Sequence, residues 1–151
     1  MSTVILALAT GFYTGYLPKA PGTWGSLVAL PLNLLLIQLA PSSYAGVLLA
    51  LLALSILVAG SAEKIFDTKD PGFIVIDEIM GMLVALIGAP HNSLVWLLAF
   101  FLFRLFDIWK PFPIRWIDHQ VQGGVGIVLD DVLAGLVTLA VLQGLGLFLN
   151  W

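Results

Sequence analysis

The chain has 151 residues, 60% of them hydrophobic and 10% charged, and a mean hydropathy of +1.06. Soluble domains carry roughly a quarter charged residues, so this composition excludes an ordinary water-facing globule and points to a bilayer as solvent. A net charge of −3 without a basic stripe excludes a nucleic-acid partner. With no cysteine, disulfides, thiolate nucleophiles and zinc–thiolate centres are excluded as well.

The N-terminal stretch, residues 1–16, is apolar from Val4 to Ala9, and no basic segment precedes it. It does not read as a cleaved signal peptide. It is also shorter than the ~20 apolar residues a span needs, so an interfacial or re-entrant helix is expected. Five longer apolar stretches follow at 24–40, 44–62, 76–90, 94–109 and 129–151, separated by proline and small polar residues. In a bilayer each must be a helix that satisfies its own backbone. The expected fold is therefore an all-α membrane bundle of about five transmembrane helices plus the short N-terminal helix. No linker divides it, so residues 1–151 read as one membrane-embedded domain.

If the spans alternate, all fifteen acidic and basic residues fall on one side of the bundle. The opposite loops, 41–43 and 90–93, hold no formal charge. All the Lys and Arg lie on the charged side, so the positive-inside rule makes it cytoplasmic.

Two acidic pairs stand where the third and fifth stretches begin. They are Asp77-Glu78, with Gly81 a turn later, and Asp130-Asp131, with Ala134 and Gly135 a turn later. Residues three and four apart share a helix face, so the small residues permit close approach of helices beneath the acids. Two such ends side by side would converge oxygen ligands for a hard cation such as Mg²⁺. The plainer alternative is that the acids complement helix macrodipoles. Arg104, Asp107 and Lys110 are spaced by three and make one polar stripe at the end of the fourth stretch. Ionisable groups at membrane depth are costly, which makes function the default reading. A structural Arg104–Asp107 pair with Lys110 reaching the headgroups is the alternative.

Lys19, Thr23 and Ser26 lead into the 24–40 stretch, where free N–H groups, a cation and hydroxyls could cradle phosphate. Thr23 or Ser26 could equally be N-caps. Gly123, Gly124 and Gly126 match no nucleotide-binding pattern and read as a tight turn before the acidic site. Arg115 and Asp118 fall in a loop; His119 lies beside them, and His91 sits in the uncharged loop. Gly81, Ala85 and Gly88 suit packing within one chain or between two, which leaves a homo-oligomer open.

Four blocks in order, PGTWGS (21–26), DEIMGM (77–82), FRLFDIWKPFPIRWID (103–118) and GGVGIVLDDVLAG (123–135), resemble the bacterial phosphatidylglycerophosphatase A family. The resemblance covers most of the chain. It implies a Mg²⁺-dependent phosphatase that converts phosphatidylglycerophosphate to phosphatidylglycerol at the cytoplasmic face of the bacterial inner membrane. On these residues the expected metal ligands are Asp77, Glu78, Asp107, Asp130 and Asp131. Lys19, Arg104, Lys110 and Ser26 are expected to hold the substrate phosphate. Asp107, Asp131 and Thr23 are the expected catalytic groups, with activated water as the default nucleophile. A small divalent-cation transporter and a non-catalytic membrane subunit are the competing readings. Transport needs polar residues at both depths, and the uncharged half offers few beyond Asn33, Gln38 and Gln143.

Overall fold

The structure, a computed structural model, describes residues 2–149. Met1, Asn150 and Trp151, the outer ends of the first and last expected stretches, lie outside the described residues. Seven α-helices run in the order α1 (Ser2–Ala9), α2 (Pro21–Leu36), α3 (Pro41–Phe66), α4 (Ile76–Ala85), α5 (Ser93–Trp109), α6 (Ile114–Gln120) and α7 (Gly123–Leu149). A 3₁₀ turn, Thr14–Tyr16, joins α1 to α2, and no strand occurs among the described residues.

Local chemistry sets the boundaries. Pro21 and Pro41 start α2 and α3 at the first-turn position, where a missing N–H costs nothing. Asn92 caps α5 by accepting a hydrogen bond from the Leu94 N–H at 2.9 Å. Asp67 and Lys110 end α3 and α5 in left-handed conformation. Neither Thr23 nor Ser26 caps α2. Ala20 holds the N-cap position without a side-chain bond, and the Ser26 hydroxyl donates back to the Gly22 carbonyl at 2.8 Å.

At about 1.5 Å per residue, α3 with 26 residues and α7 with 27 are each near 40 Å long, enough to cross a ~30 Å hydrocarbon layer. These two are the described helices long and apolar enough to span. The others fall short of the five spans expected: α2 and α5 have 16 and 17 residues, and α4 has 10. The reason is clearest for α4. Eight of its ten residues are buried, because α2, α3, α5 and α7 enclose it. A helix sheathed by protein need not match the bilayer thickness. α1, at eight residues, is likewise too short to cross.

Two further expectations change. Arg115 and Asp118 lie on α6 rather than in an open loop, and α7 starts at Gly123, six residues before the apolar stretch at 129. The glycines read as a tight turn are thus the first turn of α7. A Cβ at Gly124 would collide with the Ile56 carbonyl and the backbone of Gly60, so this end of α7 is seated directly on α3.

The most extensive helix contact joins α4 to α7. Here the small-residue expectation holds. A Cβ on Gly81 would stand 2.6 Å from the Asp131 carbonyl oxygen, and one on Gly135 would run into the Gly81 carbonyl. Gly81 and Ala85 are buried within the chain, while Gly88 is exposed at a positive φ beside Gln143 of α7.

Candidate metal and phosphate site

The α4–α7 crossing fixes the centre of the charged end. Asp77 and Glu78 occupy the first turn of α4. Asp131 comes from the neighbouring face of α7. Ligand oxygens of Asp77, Glu78 and Asp131 all lie within 4.8 Å of one another. Asp77 and Asp131 are buried, and Asp77 Oδ1, Glu78 Oε2 and Asp131 Oδ2 have no hydrogen-bond partner among the described residues. Buried polar atoms are ordinarily paired, and three orphaned oxygens on neighbouring carboxylates are a large exception.

The macrodipole alternative does not account for this arrangement. Asp130 and Asp131 lie two turns inside α7, whereas the helix-end field fades within the first turn. The expectation that both acidic pairs begin helices therefore holds for Asp77-Glu78 alone.

The other expected ligands, Asp107 and Asp130, are buried too, but each is bound to a cation. Arg104 Nη1 donates to Asp107 Oδ2 at 2.5 Å and also reaches Glu78 Oε1 at 3.8 Å. Lys110 Nζ donates to Asp130 Oδ2 at 2.5 Å and pairs with Asp118 Oδ1 at 3.0 Å. The left-handed cap at Lys110 turns it off the α5 stripe and toward α7, so it does not extend to headgroups. Burial by itself would lower the Lys110 pKa, but the Asp130 and Asp118 carboxylates outweigh it and raise the ammonium's pKa. Arg104 Nε and Asp130 Oδ1 keep no partner among the described residues, so each charged pair retains one free polar atom.

α2 closes the site from the side. A Cβ at Gly22 would collide with the Glu78 carboxylate and stand 2.9 Å from Arg104 Nη1, so any larger residue there would displace both side chains. Thr23 follows, half-buried and without a side-chain hydrogen bond among the described residues. Ser26 is fully buried and its proton is committed to Gly22. Lys19 is exposed in the preceding loop and makes no ion pair among the described residues. His91 stacks near Trp96 away from the acids. Asp118, as a second partner of Lys110, was the member that sequence reasoning missed. Its signal was the eight-residue spacing from Lys110 across a proline-bracketed turn.

Fold and site together define an apolar, all-helical protein with a buried carboxylate cluster flanked by two cations, a donor set suited to a hard metal and an anionic group. The family model for phosphatidylglycerophosphatase A matches residues 7–146. A curated phosphatidylglycerophosphatase A of Escherichia coli (strain K12) is 39% identical over 140 residues, covering 92% of this chain and 81% of the relative. Its counterpart in Haemophilus influenzae is 40% identical over 136 residues, covering 89% and 83%. A Bacteroides thetaiotaomicron relative, provisionally named a phosphatidylinositol-3-phosphatase, is 38% identical over 136 residues, covering 85% of each chain. No solved structure matches. The chain belongs to the phosphatidylglycerophosphatase A family, a family of phosphatases.

Proposed function

We propose that this protein is a multi-pass enzyme of the bacterial inner membrane that hydrolyses phosphatidylglycerophosphate to phosphatidylglycerol and phosphate, with Mg²⁺ held by Asp77, Glu78 and Asp131. The observation that carries the reading is the carboxylate trio beside Arg104, two buried and one half-buried, with ligand oxygens within 4.8 Å of one another and an unpartnered oxygen on each. An all-oxygen donor set of this kind fits a hard divalent cation, which keeps several waters and takes few protein ligands. Bound there, the ion would neutralise phosphate oxygens and ease deprotonation of water.

The chain's own residues supply the rest. A phosphomonoester dianion repels nucleophiles, so cations must offset its charge as the bond to the leaving oxygen breaks. Arg104, oriented by Asp107, presents its unpartnered Nε to a phosphate oxygen. Lys110 fixes Asp130 through one oxygen and leaves Oδ1 to take the proton of the attacking water. Water adds at phosphorus, the phosphorus–oxygen bond to glycerol breaks, and the glycerol oxygen leaves with the proton that Asp130 took from the water, which returns Asp130 to its starting state. Asp107 and Asp130 thus act as positioning and proton-handling groups around the metal trio. Thr23, one residue from the Gly22 contact, lines the α2 side.

A membrane setting is supported by α3 and α7, and by the exposed aromatics Phe12, Tyr13, Tyr16, Trp24, Trp109, Phe112 and Trp116 at the charged end. Such rings favour the headgroup layer. In the uncharged half the Tyr44 hydroxyl donates to Asn33 Oδ1 at 3.2 Å and Gln143 to the Ile87 carbonyl at 3.3 Å, and among these groups only Asn33 Nδ2 is buried without a partner among the described residues. That pattern favours an enzyme over a transporter. The test is phosphate release from phosphatidylglycerophosphate in detergent micelles by the purified chain with Mg²⁺. Release at the rate of micelles alone would refute the proposal.

A further inference from the structure

Arg115 is a cation that the site described above does not use. Arg104 and Lys110 are each neutralised by carboxylates, whereas Arg115 is exposed and makes no ion pair among the described residues. Two surface depressions meet at it. One, of about 590 Å³, runs along the outer face of α5 past Phe101, Leu105, Ile108 and Trp109, with Arg104 and Arg115 also in its wall. The other, of about 530 Å³, is lined by Trp109, Lys110, Pro111, Phe112, Arg115 and Trp116. Trp109 and Arg115 border both, and the two cations that face the carboxylates each line one of them, Arg104 the first and Lys110 the second.

We infer that Arg115 holds the phosphodiester of the lipid substrate, the phosphate that is not cleaved. This rests on the proposed function, in which the substrate carries two phosphates. One is the diester next to the acyl chains and the other is the terminal monoester, separated by a glycerol unit. Arg115 shares one depression with Arg104 and the other with Lys110, so a diester held at Arg115 leaves the monoester of the same lipid beside the cations of the acidic site, and Phe101, Leu105 and Ile108 offer an apolar wall to an acyl chain. A guanidinium contacts two oxygens of a phosphate in parallel, and the indoles of Trp109 and Trp116 offer amphipathic walls on either side. Arg115 then distinguishes lipids that carry a diester from those with a monoester alone.

The test compares the parent, Arg115→Gln and Arg115→Lys in mixed micelles, with Lys64→Gln as a variant that removes an exposed charge elsewhere at the same end of the protein. Two inhibitors are used: phosphatidylglycerol, which keeps only the diester, and inorganic phosphate, which mimics only the cleaved group. Loss of one charge-assisted contact weakens binding by about 10- to 100-fold. Arg115→Gln is expected to raise KM and weaken phosphatidylglycerol inhibition on that scale, while inhibition by inorganic phosphate stays at the parental value. Arg115→Lys should recover part of the loss, and Lys64→Gln should match the parent. The inference is overturned if phosphatidylglycerol inhibition is unchanged in Arg115→Gln, if both inhibitors weaken alike, or if Lys64→Gln has the same effect. A parent that releases no phosphate from the substrate would overturn the proposed function itself, a separate outcome visible before any variant is made.

Discussion

The acids of the charged end divide into two groups with opposite electrostatics. Asp77, Glu78 and Asp131 converge with free oxygens, and the one cation near them, Arg104, reaches only Glu78 and at 3.8 Å. Asp107 and Asp130, equally buried, each accept a 2.5 Å bond from a cation. A buried anion without a partner is costly, and a paired one much less so. The difference separates carboxylates fixed by a cation from carboxylates held ready for a metal ion. It also predicts opposite responses to mutation in the two groups.

The largest effect should come from removing the ion that the first group is proposed to hold. Treatment with EDTA is expected to reduce phosphate release to background, and added Mg²⁺ to restore it. Full activity in chelator would erase the distinction. Next, Asp131→Asn and Asp77→Asn should each lower kcat/KM by more than about 100-fold, at the upper end of what perturbing a metal site costs. Neither should lower the melting temperature in metal-free buffer, since each removes one of three mutually repelling charges. A variant that retains parental turnover would take that residue out of the site.

The paired group should behave the other way. Arg104→Gln leaves Asp107 buried and uncompensated, and is expected to destabilise the fold by about 3 kcal/mol as well as slow turnover. Adding Asp107→Asn should return part of that stability in a double-mutant cycle, because the orphaned charge is gone. Strict additivity would mean that the pair contributes nothing. The smallest effect is expected for Lys110→Gln, because Lys110 is more exposed than Arg104 and water can take part of its place beside Asp130. A stability loss of about 2 kcal/mol is anticipated, read by denaturant titration.

Much of this arrangement was readable before any coordinates. The small residues at 81 and 135 marked the crossing of α4 and α7, whereas residues 41–43, read as a loop, form the first turn of α3. Helix lengths were less readable. Residues 76–90 looked like a short span, but α4 ends at Ala85 inside a sheath of other helices, where hydropathy no longer reports lipid contact. Gly123, Gly124 and Gly126 looked like a turn because glycine is a weak helix former. Close seating of Gly124 on α3 favours the helix there, and propensity cannot register that contact.

What the sequence determined by itself was the family, the all-helical class and the gathering of charged residues beside apolar runs. All three follow from composition, order and spacing along one chain. The tertiary structure alone decided which carboxylate does what. Asp130 and Asp131 are neighbours in sequence, yet successive residues on a helix point about 100° apart. One therefore meets Lys110 from the end of α5 and the other meets Asp77 and Glu78 across the α4 crossing. Their different fates depend on what each face of α7 packs against, and no local pattern encodes that.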